Sequence, residues 1–358
     1  MTGSRVRLVV LFGGQSAEHD VSCVSARHVL AAVDPARYAV EPVGITRDGA
    51  WVRAEDAMAA LARGTDALPD SLKAVGPDYD LLPAMHGALQ EGEQVVVLPV
   101  LHGPMGEDGT VQGFLELAGV PYVGCGVLGS ALTMDKAKAK EVLAHAGIPQ
   151  CAHRSFHAPQ WSPTLADELI DQLGLPAFVK PANMGSSIGV SKATDRQGLI
   201  TAVELALTYD EWIVVEEAVE GRELECSVLG NDEPRVSLPG EIVPGDEFYS
   251  YDDKYHDEAA GLVVPAELPD DVVVEMQELA ADAFRVLRCE GLARADFFYE
   301  EHGRGLLLNE LNTMPGFTPI SMYPKLWAAS GVSYPELIDE LVELALQRHA
   351  RRRRRTDH

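Results

Sequence analysis

Arg294-Ala295-Asp296-Phe297-Phe298 and, one turn later, Asn309-Glu310-Leu311-Asn312-Thr313-Met314-Pro315-Gly316 are the stretches on which the reading of this chain turns. Residues two apart in a strand share a face, so Arg294 points with Asp296 and Glu310 points with Asn312. The intervening Glu300-Glu301-His302-Gly303-Arg304-Gly305 is a hairpin signal that folds the second strand back beside the first. Three hard oxygen ligands and one guanidinium then meet at one place. Magnesium takes few carboxylates and completes its shell with phosphate oxygens, so such a place suits Mg²⁺ and a phosphorylated substrate. An ordinary hairpin with a solvated charged face is the alternative. Against it stands the Asn-Glu-x-Asn run next to Pro-Gly, because asparagine is disfavoured in a plain surface strand.

Outward from the hairpin, the bulk properties allow a large globular enzyme. The 358 residues suggest two or three domains, and 46% hydrophobic with 23% charged residues is a globular composition. The net charge of −26 argues against a nucleic-acid partner, which needs a basic face. Residues 346–358 hold six arginines and one aspartate, a net of +5 that leaves −31 for residues 1–345. This tail is expected to be disordered and without a catalytic role. The five cysteines, Cys23, Cys125, Cys151, Cys226 and Cys289, are odd in number and never spaced Cys-x-x-Cys, which favours buried reduced thiols over disulfides or zinc. The apolar run Val6 to Phe12 is too short for a signal peptide, and no run reaches membrane-spanning length. A cytoplasmic location with no stable membrane association is expected.

Along the chain, residues 6–12 read as a buried parallel strand before a Gly13-Gly14 turn and a helix containing Ser22 to Val33. Strand-like stretches follow at 38–45 and 95–101, then a helix from near Gly109 to Ala118. Strands alternating with helices imply an open parallel sheet, whose ligands sit beyond the carboxyl ends of the strands. The loops 13–20 and 102–110 occupy that edge. Gly13-Gly14 is also compatible with a simple tight turn, and the three-glycine dinucleotide fingerprint is missing. A charged helix is expected from Thr133 through Leu143, stopping at Gly147-Ile148-Pro149. Ala177-Phe178-Val179-Lys180 is a strand entering the loop Pro181 to Val190, whose glycines and small hydroxyls suit phosphate oxygens. Trp212 to Val219 reads as another strand and its exit.

Only eight basic residues are lysines, against 21 arginines. A lysine kept before a glycine loop fits a compact ammonium reaching a phosphate, although chance retention accounts equally for any single one.

Three motifs stand together: Lys180-Pro-x-x-x-Gly-Ser-Ser-x-Gly, Glu216-Glu-x-x-x-Gly-x-Glu223, and Arg294-x-Asp296 with Asn-Glu310-x-Asn312-x-x-Pro-Gly316. They resemble the ATP-grasp superfamily. Gly13-Gly14-Gln15-Ser16-Ala17-Glu18-His19-Asp20-Val21-Ser22, His102-Gly-Pro-Met-Gly-Glu-Asp-Gly-Thr110 and Lys254-Tyr255 narrow the resemblance to the D-alanine–D-alanine ligase family, over residues 6 to 340. The resemblance implies an α/β, three-domain ATP-grasp fold: an N-terminal open parallel sheet in residues 1–124, a central subdomain in 125–216, and a C-terminal subdomain with the metal site in 217–345. It implies that two D-alanines are joined at the expense of ATP for peptidoglycan synthesis. The first carboxylate attacks the γ-phosphate to give an acyl phosphate, and the amine of the second D-alanine attacks that carbonyl.

The resemblance also assigns roles. Lys136 and Lys180 hold the ATP phosphates, with Ser187 in the closing loop. Glu216 accepts from the adenine amine, Glu217 to Val219 line the base, Glu223 takes the ribose hydroxyls, and Phe248 covers the adenine. Asp296, Glu310 and Asn312 hold two Mg²⁺, which Mn²⁺ can replace. Glu18 binds the first substrate's ammonium, while Arg294 and the Gly316 N–H stabilise the oxyanion. Lys254, Ser321 and the Met322 backbone receive the second carboxylate. Ser186 and Tyr255 link to Glu18 and hold a lid closed. His102 sits near the substrates or is a structural loop histidine.

Two departures from the family pattern stand out. Many relatives carry lysine and a larger residue where this chain has Glu217 and Ala218, and leucine is frequent where it has Met322. Competing functions are a D-alanine–D-lactate or D-alanine–D-serine ligase, whose resistance forms typically lack the Lys-Tyr pair, and a non-catalytic ATP-binding regulator, which predicts erosion at the metal residues. A homodimer is expected from the relatives.

Overall fold

The computed structural model describes residues 5–90, 92–243 and 261–352. Three sheets follow one another along the chain, and one core joins the first sheet to Leu229 and Leu292 of the third.

The first sheet has the order β3-β2-β1-β4, from β1 (Val6–Gly13), β2 (Tyr38–Ile45), β3 (Trp51–Arg53) and β4 (Val95–Pro99). β1 runs parallel to both β2 and β4, with helix His19–Ala32 in the crossover. Its alternate residues serve two cores: Leu8, Val10 and Phe12 pack on one face, Val9 and Leu11 on the other. A strand covered on both faces reads as one continuous apolar run, which is why residues 6–12 show no alternation.

The second sheet has the order β5-β8-β6-β7, from β5 (His153–His157), β6 (Ala177–Pro181), β7 (Ser191–Ala193) and β8 (Trp212–Glu217). Helices Pro163–Leu173 and Arg196–Ala206 cover one face, burying Val179, Ile213 and Val215. Lys180 and Glu216, one residue out of phase, are left on the opposite face.

The third sheet runs β12-β11-β9-β13-β14, with β10 paired to β9. Its strands are β9 (Arg222–Gly230), β10 (Arg235–Val236), β11 (Gly240–Val243), β12 (Gly261–Val263), β13 (Gly291–Glu300) and β14 (Gly305–Asn312). Helix Asp270–Val286 buries Leu224, Cys226, Ala293, Ala295 and Phe297 on one face. The period of two therefore sends Glu223, Glu225, Arg294 and Asp296 to the other.

Two expectations need correction. Residues 127–145 form two helices, Val127–Met134 and Lys136–His145, rather than one running through Asp135. The Asp135 carboxylate accepts from Lys138 N at 3.0 Å, so it caps the second helix instead of sitting inside it. The basic tail is also not disordered throughout. Helix Tyr334–Arg351, opened by a Ser333–Glu336 capping box, packs Leu337, Ile338, Leu341, Val342 and Ala345 into the core under β1. Arg348 is buried; its guanidinium donates to Tyr122 O at 2.9 Å and to Gly124 O, and stacks 3.9 Å from the Tyr122 ring centroid. Arg351 pairs with Asp232 and Glu290, and Arg352 pairs with Glu116 and Glu290. Carboxylates from distant parts of the chain neutralise what reads locally as a self-repelling charge run. Residues 353–358 lie outside the described part. No helix among the described residues is long and apolar enough to cross a membrane.

Candidate active site

The polar face of the third sheet is built by register. Arg294 lies opposite Asn312, and Asp296 opposite Glu310, across the β13–β14 pair. On the other side of β13, Arg294 faces Ser227 and Asp296 faces Glu225. Three carboxylates, Glu225, Asp296 and Glu310, thus form a row across three adjacent strands. Arg294 answers them: Nε and one terminal nitrogen each donate to Asp296 at 2.7 Å, and Nε lies 3.1 Å from Glu225. Burial disfavours its charge, but Asp296 and Glu225 outweigh that and hold the guanidinium firmly protonated.

Cations reach this face from the central part of the chain. Lys136, the first residue of its helix, lies 3.4 Å from Glu310 and donates to Met184 O at 2.8 Å. Lys180 donates to Glu216 at 2.7 Å and to Asn309 Oδ1 at 3.3 Å. Burial pushes the Glu216 carboxyl up, but Lys140 and Lys180 more than reverse this and hold it well below the carboxylate range.

The first domain contributes a turn and a loop. The Ser186 hydroxyl, in the glycine loop after β6, donates to the buried Glu18 carboxylate. Gly103 has φ +74°, and a Cβ there would stand 2.8 Å from Glu18 Oε2, so only glycine lets the 102–110 loop close on that carboxylate. Ser186 and Ser187 hold φ of 50° and 58°, a strained conformation for non-glycine residues and one that clusters at ligand-binding loops. His102 is buried, and since Met314 O can only accept, Nδ1 carries the hydrogen of their 2.9 Å bond. Its Nε2 has no hydrogen-bond partner among the described residues. Burial pushes the imidazole pKa down, but Glu107 and Glu18 draw it up overall.

The remaining expected residues are placed as follows. Gly316 adjoins Ser321, whose hydroxyl accepts from Thr318 N at 3.2 Å. Ser321 precedes helix Met322–Ala329, so the Met322 N–H lies in an anion-favouring first turn, while its side chain is buried with Ile242 and Leu326. The Glu217 carboxylate accepts from Ala152 N at 2.6 Å and pairs with Arg304 of the hairpin turn. Glu223 sits on β9 opposite Phe298, and Val219 just beyond β8. Phe248, Lys254 and Tyr255 lie outside the described residues.

Two carboxylates and an amide fit a hard divalent cation by the chemistry of the donors: Asp296 and Glu310 sit directly cross-strand, with Asn312 two residues along the same face. Among the described residues no three His, Cys, Asp or Glu side chains form a metal cage, so a cation here would draw on Asn312 and on substrate oxygens.

Four residues at this site escaped the sequence reading: Glu225, Glu107, Lys140 and Asn309. Glu225 had a usable signal, since it shares the strand face of Glu223 and reads as polar amid Leu224 and Cys226. Lys140 had one too, lying one turn from Lys136 on the same helix face. Glu107 and Asn309 both stand inside motifs read above; what the sequence hides is their contacts, Glu107 lying 3.7 Å from His102 in its own loop and Asn309 meeting Lys140 and Lys180 from the central part of the chain.

Comparison with known proteins gives a consistent result. Models of the D-ala D-ala ligase N-terminus and C-terminus match residues 7–125 and 142–343. D-alanine--D-alanine ligase A of Mesorhizobium japonicum is 50% identical, over 97% of this chain and 99% of that protein. The D-alanine--D-alanine ligase of Pseudarthrobacter chlorophenolicus is 47% identical over 96% and 94%. Among solved structures, the Coxiella burnetii D-alanine-D-alanine ligase superposes with TM-score 0.79 at 34% identity, covering 98% of this chain and 96% of that one. The VanG D-Ala:D-Ser ligase of Enterococcus faecalis gives 0.79 at 33%, covering 95% and 99%.

Proposed function

The chain belongs to the D-ala D-ala ligase family, and from that premise we propose that it joins two D-alanines at the expense of ATP, giving D-alanyl-D-alanine for peptidoglycan synthesis. One observation carries the reading at the level of this chain's residues. Arg294, Asp296, Glu310 and Asn312 share a sheet face, and Lys136 from a helix and Lys180 from the second sheet reach the same face, within 3.4 Å of Glu310 and 3.3 Å of Asn309. Phosphoryl transfer needs positioning and charge stabilisation more than a protein nucleophile, and this face supplies both.

The division of labour follows. Lys136 and Lys180 take the phosphate oxygens, and the loop carrying Ser186 and Ser187 covers them. Glu216 and the segment Glu217 to Val219 receive the adenine, and Glu223 the ribose. Glu18 takes the first D-alanine's ammonium, and the His102 Nε2 faces its carboxylate. That carboxylate attacks the γ-phosphorus, ADP leaves, and the acyl phosphate is held where Arg294 and the Gly316 N–H stabilise the oxyanion formed by the second amine's attack. Phosphate then departs; of the ammonium's three protons one stays on the amide nitrogen, one is lost to solvent before attack and one goes to the leaving phosphate or solvent as the tetrahedral intermediate collapses. Ser321 and the Met322 N–H hold the second carboxylate. Asp296, Glu310 and Asn312 would hold Mg²⁺, which when bound neutralises charge on the transferring phosphoryl group.

Phosphate release with ATP, Mg²⁺ and either D-alanine or L-alanine tests this. Release with D-alanine alone is expected; equal release with both contradicts the assignment. His102→Gln should raise KM for D-alanine roughly tenfold, the cost of one charge-assisted hydrogen bond, and leave KM for ATP unchanged. Because the folded pKa of His102 is raised, its cationic contribution is complete below about pH 6.5 and fades as pH climbs through that raised value. Wild-type KM for D-alanine should therefore rise with pH on this limb, and the variant's should be flat. A KM that responds identically to pH in both proteins removes His102 from the site.

A further inference from the structure

Glu216 has two cationic partners where one would neutralise it. Lys140 Nζ lies 3.0 Å from Oε1, and Lys180 Nζ lies 2.7 Å from Oε2. All three are enclosed: the Lys140 and Glu216 side chains are each 3% exposed and that of Lys180 is 13%. Asn309 ties the lysines together, its backbone carbonyl accepting from Lys140 and its side-chain oxygen from Lys180, each at 3.3 Å. The neighbouring Cys151 thiol, 3.9 Å from Lys140 Nζ, is pushed up to about 11 by burial and Glu216, so it stays neutral. One carboxylate therefore serves two buried ammonium groups, and the cluster carries one surplus positive charge.

The two lysines are not equivalent. Lys140 rises from the middle of helix Lys136–His145 and ends against a backbone carbonyl, deep in the cluster. Lys180 stands on β6 at the mouth of the glycine loop and is the more exposed. Lys180 can thus move toward a phosphate; Lys140 cannot. A departing Lys180 would leave a buried carboxylate, which is strongly unfavourable unless another cation remains beside it. Oε1 is fully enclosed beside Lys140, and Oε2 is the oxygen that Lys180 holds, so each lysine has its own carboxylate oxygen.

We propose that Lys140 is a positioning residue, the resident counter-ion that keeps Glu216 ionised and in place and thereby frees Lys180 for the nucleotide phosphates. This rests on the reading above, in which Glu216 meets the adenine amine and Lys180 the phosphates. Without Lys140, Glu216 has a single cation and holds it: Lys180 stays bound to the carboxylate, or Glu216 takes a proton and stops accepting.

The test is a double-mutant cycle on the full-length enzyme with Lys140→Met, Glu216→Gln and the pair, each assayed with ATP and with inosine triphosphate, which has a carbonyl in place of the 6-amino group. Lys140→Met should lower kcat/KM for ATP by roughly 10–100-fold, the range for removing an outer partner that orients a ligand-contacting group. In the Glu216→Gln background, where no carboxylate can trap Lys180, the same change should cost less than threefold. Strongly non-additive losses are the signature. Additive losses with the ATP preference intact would overturn the proposal and leave the nucleotide reading standing. Equal use of both nucleotides by the wild type would overturn the adenine role, and the proposal with it. Lys140→Gln, which keeps a polar group against Asn309 O, provides the same cycle if the methionine variant does not fold.

Discussion

Glu310→Ala and Asn312→Ala should each lower phosphate release, at saturating ATP, D-alanine and Mg²⁺, by on the order of 10²–10³-fold, the cost of removing one preorganised charge-stabilising group. Both side chains rise from the polar face of β14 toward Asp296 and Arg294, and the opposite face carries the packing with helix Asp270–Val286. The fold therefore loses little. Glu310 is 32% exposed and its partner is a lysine 3.4 Å away, so its removal touches a weak pair. Asn312 Oδ1 accepts from Met314 N at 3.1 Å, and losing that bond costs about 1 kcal/mol. Near-wild-type turnover in either variant, with circular dichroism and thermal midpoint unchanged, removes that residue from the metal set.

Arg348→Ala should produce the largest stability loss of any single change in the C-terminal segment. The buried guanidinium holds two backbone carbonyls, of Tyr122 and Gly124, and stacks on the Tyr122 ring. Charge-assisted hydrogen bonds of this kind are worth about 1.5–3 kcal/mol each, and truncation leaves both carbonyls unsatisfied. At about 2–4 °C per kcal/mol, the resulting loss of about 3–6 kcal/mol should drop the midpoint by roughly 6–24 °C. Truncation after residue 345, which also removes the Arg351 and Arg352 pairs with Asp232, Glu116 and Glu290, should drop it further. Truncation after Arg352 should change neither stability nor rate. An unmoved midpoint in Arg348→Ala would mean that the segment does not anchor the domain junction.

The contrast between these two predictions shows what the amino-acid order reveals. The Arg294–Asn312 hairpin is only partly legible: the turn and the period of two set Arg294 with Asp296 and Glu310 with Asn312, but the register shift at Asp296–Phe297, which leaves no sequence signal, is what brings the two pairs onto one face. The first parallel strand is legible from its own apolar run. Arg348 is not, because its partners Tyr122 and Gly124 lie more than 220 residues away, and a run of arginines without visible carboxylates reads as solvated. Asp135 shows a subtler limit. An alanine- and lysine-rich stretch looks continuous, yet one aspartate suffices to end one helix and cap the next. The contact between Glu18 and Ser186 was reachable only through family resemblance, because residues 168 apart meet through tertiary folding alone. Lys140 and Glu225 shared a face with residues that were read, Lys136 and Glu223, but their meaning comes from the charges brought beside them by β8 and β13.

The decisive measurement is product analysis with ATP, Mg²⁺ and an equimolar mixture of D-alanine and D-lactate. D-Alanyl-D-alanine should be the main product at neutral pH, with one ADP and one phosphate formed per dipeptide. A predominance of the D-alanyl-D-lactate ester, or phosphate released without any condensed product, would contradict the dipeptide assignment.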